Sequence, residues 1–202
     1  MRWIILLHER EEVASVLLRK ADMHDIEGIM GILADGRQAL RALGVDQWQG
    51  GYPYRATVEE DIRLGESYVV EADDGSLAAT AMIGFHGDKA YRSIQDGAWL
   101  TGPADGLPRY AVVHRVAVEA GQKGNGIASL ILQGAEGLAS RNGCASVRID
   151  THADNTPMRK LLAKEGYTPC GTVYITHDEE GDPARMAYEK LVTDGGGSHA
   201  SA

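Results

Sequence analysis

Apolar and polar positions along this chain follow two periods, and the switches between them mark out its elements. Val16 to Ala21 is a short β-prone run, and Asp22 then opens a helical pattern with apolar residues at Ile26, Ile29, Met30 and Leu33, ending near Gly44. Thr57-Val58-Glu59-Glu60 has the spacing of a capping box and predicts a second helix up to Gly65. Ser67 to Glu71 and Leu77 to Phe85 read as two strands around the turn Asp73-Asp74-Gly75-Ser76, a hairpin signal that implies antiparallel pairing. From His86 to Arg109 the chain is rich in glycine and proline without periodicity, longer than most connections and of the kind that often carries function. Tyr110 to Val118 is the central strand. Ile127, Leu130, Ile131, Ala135 and Leu138 then give one apolar helical face, stopped by Asn142-Gly143. Ser146 to Thr151 returns as a strand, completing a strand–helix–strand unit with a right-handed crossover. Thr156-Pro157 opens a further helix with Met158, Leu161 and Leu162 inward and Gly166 at its end. Val173 to Thr176 and Arg185 to Leu191 form a last pair of strands across the polar turn His177 to Pro183. The pattern as a whole is α/β, in the α+β sense: a mixed, mostly antiparallel sheet flanked by helices.

Composition narrows the function classes. With 202 residues, 44% hydrophobic and 24% charged, the chain matches one globular domain with a substantial core. A net charge of −9 argues against a nucleic-acid partner, which needs a clustered basic surface, and no apolar run is long enough to suggest a membrane span. Cys144 and Cys170 have no paired spacing, so neither a disulfide framework nor a zinc or other metal site is expected, and a reducing, cytoplasmic setting fits. Trp3 to Leu7 is apolar, but the charged run Glu9-Arg10-Glu11-Glu12 follows at once and no cleavage site of small residues is apparent. The organisation expected is an N-terminal extension over 1–15, a single domain over 16–192 and a disordered glycine-rich tail over 193–202.

The chemistry concentrates where the central strand runs through Glu119-Ala120-Gly121-Gln122-Lys123-Gly124-Asn125-Gly126 into a helix. Glycines let that backbone turn tightly, and the new helix offers unpaired N–H groups and the positive end of its dipole, so a phosphate-bearing ligand is the natural guest. Gly121 and Gly126 have P-loop spacing, yet Ile127 and Ala128 stand where a Walker A sequence needs Lys and Ser or Thr. The dinucleotide fingerprint fails as well, because Ser129 replaces its third glycine.

Lys123-Gly124-Asn125-Gly126-Ile127-Ala128 resembles the acetyl-CoA signature of the GNAT family of N-acetyltransferases, in which Arg or Gln, two residues, Gly, one residue and Gly or Ala follow a strand. Asn155 and the segment ending Lys164-Glu165-Gly166-Tyr167 are similar to a second family element, in the right order. The resemblance covers residues 16 to 191. It implies the acyl-CoA N-acyltransferase fold, acetyl-CoA as acyl donor, and direct transfer to an amine through a tetrahedral intermediate; the acceptor is a small molecule or a protein amine. A homodimer is reasonable by the same analogy, through an exposed edge strand near Arg185 to Leu191. It further implies coenzyme A pyrophosphate on the N–H groups from Lys123 to Ser129, pantetheine beside Val116 and Val118, the Val118 N–H on the thioester carbonyl, and Asn155 as a brace.

Two departures stand out. Lys123 keeps a charge but loses the planar donor group of Arg or Gln. Leu162 stands where many members carry a tyrosine that protonates the leaving thiolate, so that role does not transfer. A non-catalytic acyl-CoA-binding module on the same fold is therefore the rival reading. His114 resembles a base position of some members, and its alternative is a histidine packed on the sheet. Asp150 and His152 are candidate proton relays, whereas Asp154 suits helix capping. Tyr174, then Cys170, are the substitutes for the missing acid, each with a structural alternative. Trp48, Tyr52, Tyr54 and Trp99 are candidates to line the acceptor pocket, or simply to pin loops.

Overall fold

The computed structural model describes residues 3–6, 15–102, 110–175 and 182–192. Eight strands form one sheet: β1 (Trp3–Leu6), β2 (Ser15–Lys20), β3 (Ser67–Glu71), β4 (Leu77–Gly84), β5 (Tyr110–Val118), β6 (Ser146–Thr151), β7 (Thr168–Tyr174) and β8 (Ala184–Leu191). Their spatial order is β1-β2-β3-β4-β5-β6-β8-β7, antiparallel throughout except for the β5–β6 pair, whose crossover is α3 (Ile127–Arg141). α1 (Ile26–Ala42), α2 (Arg55–Leu64) and α4 (Thr156–Lys164) complete the architecture, which is the mixed, mostly antiparallel sheet flanked by helices that the pattern implies.

The middle of the sheet feeds two cores because successive side chains leave a strand on opposite faces. On β3, Tyr68 and Val70 pack with α3 residues Leu130 and Ile131, while Val69 between them joins α1 and α2 through Ile29, Leu33 and Val58. Leu162 of α4 is fully buried in the first of these cores. A third cluster, with Tyr91, Tyr110, Val112 and Ala187, covers the rest of the second face beneath the long connection after β4.

Several expectations are corrected. Asp22 does cap, but with Asp25 it forms a capping box on a short 3₁₀ turn (Met23–Asp25) that precedes α1. The capping box expected at Thr57 and Glu60 is absent: α2 starts at Arg55, its N-cap Tyr54 makes no side-chain bond, and Glu60 instead pairs with Arg63 one turn on. β7 begins at Thr168 rather than Val173. Pro169 and Gly171 sit at a register shift on an edge strand, where a proline is tolerated. β8 is not an edge. It lies between β6 and β7, so the surface expected to support a homodimer is interior, and the true edge at β7 is partly covered by a bridge from Gln95 to Thr172. Within the expected N-terminal extension, Trp3–Leu6 pairs with β2. The tail over 193–202, Thr176 and most of the turn after it lie outside the described residues.

Candidate functional site

The site begins where β5 and β6 part. Their parallel pairing runs from Tyr110–Ser146 to Val113–Ile149 and stops there, although β5 continues to Val118 and β6 to Thr151. A bulge drives the parting: against β4, Met82 faces His114 and Thr80 faces Ala117, leaving Arg115 and Val116 opposite Ala81 alone. Arg115 adopts a left-handed backbone, with φ of 53°. Such a conformation is costly for a side-chain-bearing residue, and here a clamp offsets it. The Arg115 guanidinium donates to both oxygens of Asp61 at 3.0 and 2.8 Å and to the Tyr52 phenol at 2.6 Å, tying the bulge to α2 and to the loop before it. Burial pushes the Asp61 carboxyl up, against the pull of Arg115.

Past the bulge, Glu119 N–H donates to the Ala78 carbonyl at 2.9 Å. Bonded and non-bonded pairs alternate in an antiparallel ladder, so the Val118–Ala79 pair is non-bonded and the Val118 N–H turns away from β4 into the gap. A cavity of about 630 Å³ occupies that gap. Val116 and Val118 line it, and Gln122, Lys123, Gly124, Gly126, Ile127, Ala128 and Ser129 form one end. Gly124 and Gly126 have φ of 88° and 78°, and a Cβ on either would meet no atom within 4 Å, so both backbones border open space. Gly126 caps α3 without a side-chain bond, and the first helical bond runs from Leu130 N–H to its carbonyl. The N–H groups at the start of α3 are thus left for a ligand. This donor set fits a pyrophosphate. Asn125 lies outside the cavity lining, with its amide directed to Gln122 at 3.4 Å. Asn155 lines the cavity from the N-cap of α4; its Oδ1 accepts from Met158 N–H at 3.3 Å, leaving the amide NH2 for a ligand.

His114 stands deeper, between two carboxylates. Its Nε2 is 2.9 Å from Asp88 and its Nδ1 3.7 Å from Asp150, and all three residues line the cavity. The Tyr91 phenol donates to Asp150 at 2.6 Å and its ring lies 5.6 Å from the imidazole. Burial, then the charge of Asp150, pushes the Tyr91 phenol well above its ordinary range, which keeps it a donor. Asp88 and Tyr91 come from the connection after β4, whose 3₁₀ turn Ala90–Arg92 drives Tyr91 into the core. The sequence reading missed both, as well as Arg115 and Asp61. An acid three residues before an aromatic in a non-periodic loop was the only available sign.

The remaining candidates separate cleanly. Trp48 and Tyr52 line the cavity, as do Gln47 and Leu40 beside them. Tyr54 is exposed and meets only the edge of Tyr52 among the rings, 6.0 Å away. Trp99 pins its loop: its indole N–H donates to the Tyr91 carbonyl at 3.0 Å, and its ring stacks on Arg148 at 4.2 Å. His152 accepts from Asp154 N–H at 3.1 Å through Nδ1 and is not part of the lining. Tyr174 is 40% exposed and outside the cavity. Cys170 is also outside, its thiol directed to the Thr168 carbonyl at 3.4 Å and pushed up by burial. Leu162 does not reach the cavity, whereas its neighbour Leu161 does. Among the described residues no group of three or more His, Cys, Asp or Glu side chains is arranged to hold a metal, and no helix is long and apolar enough to cross a membrane.

Comparison with known proteins bears on the family and the fold. Residues 37–167 match the family model described as "Acetyltransferase (GNAT) family". A GNAT-family acetyltransferase from Streptococcus agalactiae 2603 is 33% identical, with a TM-score of 0.74 over 87% of this chain and 95% of that one. A second, from Listeria monocytogenes 4b F2365, shares the fold at 19% identity and a TM-score of 0.66 over 88% of this chain and 95% of its own. An N-acetyltransferase from Staphylococcus aureus Mu50 shares it at 22% identity and 0.61, over 88% and 99%. No match was found among curated proteins. With a family model spanning most of the chain and a close structural relative covering nearly all of it, the chain belongs to the GNAT family of acetyltransferases.

Proposed function

We propose that this protein transfers an acetyl group from acetyl-CoA to an amine, by direct attack through a tetrahedral intermediate. One observation carries the reading: a single cavity runs from an uncapped glycine turn, along the gap between two parted strands, to a histidine held between two carboxylates. Acetyl-CoA supplies an electrophilic thioester carbonyl and a sulfur leaving group. The N–H groups at the start of α3, with Lys123 beside them, suit the pyrophosphate, and the Asn155 NH2 suits a neighbouring acceptor atom. The Val118 N–H, turned into the gap, is the donor for the developing oxyanion.

An ammonium with a lysine-like pKa of about 10.4 must lose a proton before it attacks. Asp88, as a carboxylate, only accepts, so the Nε2 facing it carries the hydrogen of the neutral imidazole and Nδ1 keeps its lone pair. Nδ1 takes the ammonium proton, and the imidazolium that results lies 3.7 Å from Asp150. The amine lone pair then forms the C–N bond as the carbonyl electron pair moves to oxygen, and the tetrahedral intermediate collapses when that pair returns and the C–S bond breaks. Neither Tyr174 nor Cys170 lines the cavity, and Leu162 has no proton to give. The departing sulfur therefore takes its proton from the attacking nitrogen, which turns acidic once bonded to carbon.

Leu162 favours a second reading, a non-catalytic acyl-CoA-binding module. Both readings require the donor to bind. Acetyl-CoA at about 100 times its Kd is expected to stabilise the fold by about 2.7 kcal/mol, read as a rise in Tm. An unchanged melting curve at saturating ligand contradicts both readings; a shift followed by no transfer to any amine selects the module.

A further inference from the structure

The reading of the cavity as an amine-acetylation site leaves one buried charged group in its lining unused. Arg185, on β8, is only 4% exposed yet lines the cavity. Other shielded arginines are matched to carboxylates: Arg19 to Asp25, Arg115 to Asp61 and Arg148 to Glu189. Arg185 instead sends Nη1 to the backbone carbonyls of Asp182 and, at 2.9 Å, Ala184, and forms no ion pair with a carboxylate among the described residues. Those two bonds hold the guanidinium in place and leave its Nε and Nη2 edge, a fork whose spacing matches the two oxygens of a carboxylate. Holding a charge out of water without a counter-ion costs stability, so an arginine kept this way implies an anion that arrives with the ligand.

The sheet register sets Arg185 on the same face as the reaction centre. Asp150 of β6 faces Ala187 of β8, and Arg185 lies two residues further on the same face, about 7 Å along the strand at ordinary strand rise. That face also carries His114. The cavity therefore presents two carboxylates, Asp88 and Asp150, at the imidazole and, further along the same face, a guanidinium with no carboxylate partner among the described residues. A short zwitterion answers both ends.

We propose that the acceptor is an amine that also carries a carboxylate, an amino acid in the broad sense, and that Arg185 selects it. The proposal rests on the acetyl-transfer reading for the fate of the amine but not for the recognition of the acid. The test is equilibrium binding of the standard α-amino acids and short ω-amino acids, each against its own carboxamide, to the protein with and without coenzyme A. At least one acid is expected to bind about 100-fold more tightly than its amide, since a site built for a charged partner rejects the analogue that lacks it. Arg185→Met is expected to abolish that preference with acetyl-CoA affinity unchanged, and Arg185→Lys to restore part of it. Equal affinities, a preference for amides, no acid bound, or a preference that survives Arg185→Met each overturn the proposal. If Arg185→Met does not fold, the wild-type acid-to-amide ratio and Arg185→Lys decide. Failure of acetyl-CoA to bind in the same samples counts instead against the acetyl-transfer reading, because the acid preference is still read on the free protein.

Discussion

On the proposed reading, Asp88 sets which nitrogen of His114 is basic, and that relation is what would make the histidine more than a packed side chain. In Asp88→Asn the amide can donate to Nε2, which favours the wrong tautomer. The rate of acetyl transfer is expected to fall by roughly 100-fold or more while the Kd for acetyl-CoA stays the same. Steady-state kinetics and titration calorimetry check the two halves; equal losses in both contradict the assignment. His114 and Asp150 were legible in the sequence because each stands on a strand whose period the apolar residues display. Asp88 and Tyr91 were not, since they reach the site from a connection with no period, where three-dimensional placement depends on Tyr91 filling a hole in the core. The aromatic candidates divided for a related reason. Trp48 and Trp99 are both buried or nearly so, one against the cavity and the other as a loop pin, and residue type alone cannot tell these apart.

The glycine turn belongs to the scale of elements, because its chemistry comes from a strand end, a turn and a helix start acting together. Gly126→Ala puts a Cβ on a left-handed residue at a cost of about 1–2 kcal/mol, and the new methyl projects into open space rather than into the core. The expected outcome is a small drop in Tm and a loss of acetyl-CoA affinity of about tenfold or more. Retained affinity with a large drop in Tm means that the turn serves the fold and not the ligand. This strand–turn–helix was the most legible part of the chain, since glycine spacing and helical period both announce it. Its counterpart, the bulge at Arg115 that parts β5 from β6, was invisible: the run Tyr110 to Val118 reads as one unbroken strand, and the clamp on Asp61 and Tyr52 spans more than 50 positions. The misplaced starts of α2 and β7 share a cause, in that local turn and capping signals were overridden by packing and by an edge position.

At the scale of the whole molecule, two carboxyls tie neighbouring elements together and contribute to its acid sensitivity. Bonding to Arg19 holds Asp25 below the usual carboxylate range and ties β2 to the start of α1. Burial alone would push Glu189 up, but donors from Ser146, Thr101 and Arg148 outweigh it and leave that carboxyl low as well. A pKa lower in the folded than in the unfolded chain stabilises the fold above the unfolded value, about 4, and the benefit is lost as pH falls through the folded value. Tm is therefore expected to fall steeply below pH of about 4, and Asp25→Asn to lower Tm at neutral pH while flattening that acid limb; parallel curves contradict it. Asp61 and Glu66, pushed up by burial, act with the opposite sign, so the difference between the two proteins isolates the Asp25 pair. The central claim for the whole molecule is that donor cradle, parted strands and histidine form one acetyl-transfer site. Its most direct test is thiol release from acetyl-CoA across a panel of amines, run with the wild type and His114→Gln. Amine-dependent release by the wild type, lowered by about 100-fold or more in His114→Gln, is the predicted result; tight binding of acetyl-CoA with no amine-dependent release, or equal rates in the two proteins, contradicts it.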